Sequence, residues 1–273
     1  MFTKRRGAFT LAGAALLPGC STAGLSDLVT PRGGYTVTPD IAYGPLPRHR
    51  LDLYETGRGG ALVLFIHGGE WRQGDKSMYR FVGQALCARG FDCAVINYRL
   101  FPETRFPGFV EDAALAVRHL ARPMVIMGHS SGAHVAMLLV LDPRWLAGAP
   151  MGSVVQGGIG LSGPYDFLPL DNPLHDAILN GPMGLPATQP INFAAGPAPP
   201  LLLITGETDT TVRPRNTAAL AAARRAAGGV VREVRYAGVG HSGTITALAA
   251  LLRPFSVPVL DEIEAFTRQV AAG

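Results

Sequence analysis

Ser130 stands in Gly128-His129-Ser130-Ser131-Gly132, a pentapeptide of the form G-x-S-x-G. The pattern carries chemistry when a strand enters it and a helix leaves it. The serine is then held on a sharp, strained turn with its hydroxyl exposed, and flanking glycines let strand and helix approach without a Cβ. Residues 124–127 read as a short apolar strand and 134–141 as a helix, so that context is present. A serine hydroxyl alone is a weak nucleophile. It needs a base within hydrogen-bond reach and a third group to orient that base.

On such a strand–turn–helix site the chain order is serine, acid, histidine. His241 follows the last predicted strand, in the loop Gly238-Val239-Gly240-His241-Ser242-Gly243, and is the candidate base. The other histidines fit less well. His67 precedes the serine, His129 and His134 are too close to it in sequence, His175 falls in an irregular insert, and His49 and His119 sit on early elements. The candidate acid is Asp209, at the carboxyl end of an apolar strand over 201–205, where α/β sheets place their sites. Glu207 and Asp166 are its alternatives. A tetrahedral intermediate also needs donors aimed at its oxyanion. The turn His67-Gly68-Gly69-Glu70-Trp71 supplies backbone N–H groups at Gly68, Gly69 and Glu70, to be joined by that of Ser131. Trp71 reads equally as a wall of the substrate pocket and as core packing.

The elements around these residues alternate. Strands are expected at 35–42, Arg50–Glu55, 61–66, 91–97, 124–127, 154–161, 201–205 and 230–236. Helices are expected at 81–88, 110–121, 134–141, 215–227, 244–252 and 258–270. Apolar strands alternating with helices predict an α/β fold: a mostly parallel central sheet with helices on both faces. The proline-rich stretch 163–200 breaks the rhythm and reads as a lid-like insert, since long irregular loops in compact domains are usually functional. Its small residues predict a loose cover over small substrates.

The 273 residues carry a net charge of +4, with 48% hydrophobic and 16% charged positions, which excludes a disordered chain. Lys4, Arg5 and Arg6 supply +3 of that charge ahead of an apolar run from Gly7 to Leu17, the anatomy of a secretory leader over residues 1–20. Residues 21–34, rich in small and hydroxyl residues, read as a tether, and 35–273 as the folded domain. The remaining arginines form no stripe, so no nucleic-acid partner is expected. Cys87 and Cys93 read as buried thiols, with a disulfide as the lesser alternative. No zinc-binding histidine helix or paired-cysteine motif is present, so no metal is expected.

With these residues in hand, the chain resembles the α/β-hydrolases. It is most similar to bacterial carboxylesterases with His-Gly-Gly-x-Trp (67–71), Asn-Tyr-Arg-Leu (97–100) and G-x-S-x-G (128–132). The likeness runs from Ile41 to His241 and extends to feruloyl and acetyl esterases, kynurenine formamidases and hormone-sensitive-lipase-like esterases. It implies hydrolysis of a small ester through Ser130, His241 and Asp209 by way of an acyl-enzyme, without a cofactor. Leu17-Pro18-Gly19-Cys20 resembles a lipobox, which implies lipidation at Cys20 and an exported protein tethered in the cell envelope. Two alternatives stand beside the esterase: an amidase of the formamidase type, and a non-catalytic lipoprotein binding module on the same scaffold.

Overall fold

A computed structural model describes residues 30–147 and 154–272. The expected leader, Cys20 and most of the tether lie outside these described residues. Eight strands form one sheet: β1 (Thr36–Ala42), β2 (Arg50–Glu55), β3 (Leu62–Ile66), β4 (Asp92–Ile96), β5 (Met124–His129), β6 (Val155–Leu161), β7 (Leu201–Gly206) and β8 (Val231–Tyr236). Their order across the sheet is β1-β2-β4-β3-β5-β6-β7-β8. β2 runs antiparallel to both β1 and β4, and every pairing from β4 to β8 is parallel. Among the described residues the helices are α1 (Arg80–Cys87), α2 (Gly108–Leu120), α3 (Ser131–Leu141), α4 (Pro173–Leu179), α5 (Arg215–Ala226), α6 (Gly243–Thr246) and α7 (Val259–Ala271).

Two-residue periodicity divides the core. Leu62, Leu64 and Ile66 of β3 pack on the face covered by α2, α3 and part of α5. Val63 and Phe65, which point the other way, pack with Phe81, Val82 and Leu86 of α1 and Ile263 and Phe266 of α7. All five β3 residues are fully buried, which explains why the strand reads as a continuous apolar run rather than an alternating one. Each such side chain contributes about 1.5–3 kcal/mol relative to exposure. Cys87 and Cys93 are both buried free thiols in this second layer.

Three departures from the sequence reading matter for the site. The helix after the serine begins at Ser131 rather than at residue 134, because the Ser130 carbonyl already accepts the N–H groups of Ala133 (2.9 Å) and His134 (3.1 Å). The helix expected over 244–252 is a single turn, α6. Beyond it the bonds tighten to i−3, as from Leu248 N–H to Ile245 O, and the Arg253 guanidinium takes the Leu248 carbonyl at 2.7 Å. The insert is not loose. It folds as α4 and two short 3-10 turns (Leu185–Thr188 and Pro190–Phe193), and Ile178, Leu179, Thr188 and Gln189 are buried.

Candidate active site

The parallel strands deliver the chemistry at their carboxyl ends. β5 ends at His129, and Ser130 follows with φ 55° and ψ −126°, left-handed territory costly for a residue with a Cβ. The strain is held by packing. A Cβ on Gly132 would lie 2.1 Å from the Ile66 carbonyl oxygen, so only glycine lets α3 start this close to β3. The Ser130 N–H is anchored to the Leu161 carbonyl of β6 at 2.9 Å.

Asp209 follows β7, and His241 follows β8. The structure brings both to Ser130: His241 Nε2 lies 2.9 Å from Ser130 Oγ, and His241 Nδ1 lies 2.8 Å from Asp209 Oδ2. The other Asp209 oxygen accepts the N–H groups of Thr211 (2.9 Å) and Val212 (2.8 Å). Burial alone would raise the Asp209 pKa, but the hydrogen bonds from His241, Val212 and Thr211 win and hold it below the usual carboxylate value. The carboxylate is therefore charged and fixes the imidazole tautomer with Nδ1 protonated and Nε2 facing the serine. The alternatives, Glu207 and Asp166, are both exposed and do not reach the histidine.

The turn after β3 faces the serine from the other side. Gly68, Gly69, Glu70 and Ser131 line one cleft with Ser130 and His241, about 500 Å³ in volume. Ser131 is the first residue of α3, so its N–H has no intrahelical acceptor and lies at the positive end of the helix. After Gly69 (φ 128°), which as glycine bears that angle freely, Glu70 (φ 56°) and Trp71 (φ 57°) both take positive φ, strain of the kind found at functional sites. The Asn-Tyr-Arg-Leu segment braces this turn. The Tyr98 hydroxyl donates to the His67 carbonyl (2.8 Å), Arg99 forks onto buried Asp112, and the Phe101 N–H bonds the Trp71 carbonyl (2.9 Å). Trp71 is buried to 5% exposure and also lines the cleft.

Several contacts had no sequence signal, most of them because they join residues far apart in the chain. The Trp71 indole N–H donates to His134 Nδ1 at 3.2 Å, and His134 Nε2–H donates to the Thr188 carbonyl of the insert at 2.6 Å. Glu70 binds His175 of α4 at 2.8 Å and Arg72 at 2.7 Å. Asn216 Oδ1 takes the N–H groups of Tyr165 and Asp166, both at 2.9 Å, fixing the start of the insert. His129 Nε2–H donates to the His241 carbonyl at 3.2 Å. Burial pushes His67 and His134 down to about 4 and His129 down to about 3, so all three are neutral scaffolding at pH 7.

Comparison with known proteins places this geometry. The BD-FAE family model matches residues 51–223. The isoprenylcysteine alpha-carbonyl methylesterase ICME of Arabidopsis thaliana is 27% identical over 241 residues, 76% of this chain and 56% of that protein. The kynurenine formamidase of Drosophila melanogaster is 29% identical over 157 residues, 53% of this chain and 51% of that protein. The chain thus spans about half the length of the relatives it matches. Among solved structures, esterase B from Lactobacillus rhamnosis, inhibited by a tributyrin phosphonate, superposes with a TM-score of 0.78 at 17% identity, covering 92% of this chain and 91% of that one. The shared architecture is the α/β-hydrolase fold.

Proposed function

The chain belongs to the BD-FAE family of α/β-hydrolases, and from that premise we propose that it is a serine carboxylic-ester hydrolase acting on small esters. The observation that carries the reading is the run of contacts from Asp209 through His241 to Ser130 Oγ, 2.8 and 2.9 Å long. His241 takes the serine proton as Ser130 attacks the ester carbonyl, and the backbone N–H groups of Ser131 and the 68–70 turn receive the oxyanion. His241 then protonates the departing alcohol. Water, activated by the same imidazole, releases the acid from the acyl-enzyme, and Asp209 stabilises the imidazolium in both halves. The likeness to esterases among relatives and solved structures supports this class.

The formamidase reading is retained as the second, because a kynurenine formamidase is among the relatives and amide cleavage uses the same machinery. The binding-module reading predicts a broken triad, whereas all three residues are in contact. For location, the leader, the lipobox-like Cys20 and the tether support an exported, lipid-tethered protein. Among the described residues no helix is long and apolar enough to cross a membrane. The test of function is turnover of 4-nitrophenyl acetate and butyrate beside Ser130→Ala. Loss of about four or more orders of magnitude in kcat supports the nucleophile. Equal rates in both proteins overturn it.

A further inference from the structure

Two guanidinium groups line the cleft that holds Ser130 and His241: Arg213 and Arg215, from the loop after the acid and the first residue of α5. Both are exposed, and among the described residues neither side chain enters an ion pair or hydrogen bond. The other charges of the cleft are mostly taken. Glu70 is held by Arg72 and His175, and Asp209, buried behind the lining, is held by His241. Asp171 of the insert is the one further carboxylate on the lining.

The placement runs against helix electrostatics. A helix N-terminus carries partial positive charge and favours acidic residues. α5 has no acidic residue in its first turn and no side-chain cap, yet it opens with Arg215 and is preceded by Arg213. Asn216, the second residue of the helix, commits its Oδ1 to the N–H groups of Tyr165 and Asp166 rather than to a cap. Local stability is thus given up where the cationic groups face the reaction cleft, the pattern expected when charge serves a ligand rather than the fold. Arginine suits a carboxylate in particular, since its planar fork donates two parallel N–H bonds.

On the esterase reading above, we infer that Arg213 and Arg215 select esters that bear a carboxylate, carried by either the acyl or the alcohol part. The test pairs each anionic ester with a neutral counterpart: mono-4-nitrophenyl adipate against 4-nitrophenyl hexanoate for the acyl side, and 4-acetoxybenzoate against its methyl ester for the alcohol side. The expected result is a higher kcat/KM for the anionic member of at least one pair, and the pair that discriminates tells which side carries the charge. In Arg213→Gln/Arg215→Gln the anionic-to-neutral ratio falls about tenfold, chiefly through KM. In the parent, raising NaCl from about 0.05 to 0.5 M erodes the same preference, a readout that needs no folded variant. No preference for either anionic ester in the parent, or a ratio untouched by the double substitution, overturns the inference. Absence of Ser130-dependent turnover on all four esters overturns the esterase reading itself, so the two failures are distinct.

Discussion

His129, the residue before the candidate nucleophile, donates its Nε2–H to the main-chain carbonyl of His241 across 3.2 Å. A carbonyl only accepts, so the bond fixes the His129 tautomer with the proton on Nε2. Burial, aided by the neighbouring His241, pushes the His129 pKa down to about 3, which keeps the ring neutral. The elbow therefore holds the loop that carries its own base, with the two rings 5.0 Å apart. Replacing His129 by Phe keeps a ring but leaves the carbonyl only the Thr244 hydroxyl at 3.3 Å, a loss of about 0.5–1.5 kcal/mol. The expected outcome is a kcat about 2- to 10-fold lower with KM for the butyrate ester little changed. Parent-level kcat would show that the loop needs no such tie.

Asp209 gives a prediction with a sign. Its folded pKa lies below the ordinary value of 3.8, so the stability it contributes is present above that value and is lost as pH falls through the folded value. Asp209→Asn is expected to cut kcat by about four orders of magnitude, since the amide presents the wrong partner to Nδ1. It is also expected to melt below the parent at pH 7, with the gap narrowing toward pH 3. A gap that persists unchanged at acid pH would mean the carboxylate's charge contributes nothing to the fold.

The buried histidines predict where acid unfolds the protein. His67, His134 and His129 have values lowered from 6.5 to about 4, 4 and 3. Above pH 6.5 they are neutral in both states. Below it the unfolded chain takes up protons that the native state refuses, and stability falls until the folded values are reached. Each contributes a slope of about 1.4 kcal/mol per pH unit, and the three together about 4. Denaturant melts between pH 6.5 and 5 should show this steep loss. A flat profile across that interval would sink the assignment of three neutral buried imidazoles.

Much of this was legible in the sequence, for a reason visible in β3 and β7. Strands buried on both faces are uninterrupted apolar runs, and Leu62–Ile66 and Leu201–Gly206 stand out as such between glycine-rich turns. The elbow glycines also leave a local trace, because the close approach at Gly132 excludes every other residue. The insert left none. Its ties are polar contacts such as Glu70 with His175, 105 positions apart, and His134 with Thr188, 54 apart. Arg213 and Arg215 read as two of many scattered arginines, since only the fold brings them to the cleft.

Gly132→Ala tests the packing of the elbow directly. The new methyl would meet the Ile66 carbonyl oxygen at 2.1 Å and the His67 carbonyl oxygen at 2.5 Å, both backbone atoms that cannot rotate aside. Overpacking of this kind costs about 1–3 kcal/mol or more. The variant is expected to melt several degrees lower, or to be insoluble, and to lose activity on every ester alike. Full stability and rate in the variant would mean that the strand–helix approach is looser than 2.1 Å implies.

Trp71 lines the cleft and is expected to limit how long an acyl chain fits. Its ring is held in place by the indole bond to His134 (3.2 Å), by the edge of His175 (centroids 6.0 Å) and by Phe109 and Phe167 (each 6.3 Å). A side chain so fixed is a rigid wall in a cleft of about 500 Å³. The parent is therefore expected to turn over a C4 ester faster than a C12 ester. Trp71→Leu opens the wall while keeping an apolar surface. An octanoyl ester could then bury two more methylenes, about 0.8 kcal/mol each, and its kcat/KM relative to butyrate should rise roughly tenfold. The lost packing should lower Tm by several degrees, so rates are compared well below the transition. A C8-to-C4 ratio that does not move, with Tm lowered as expected, would assign Trp71 to the core alone and leave chain length to the insert.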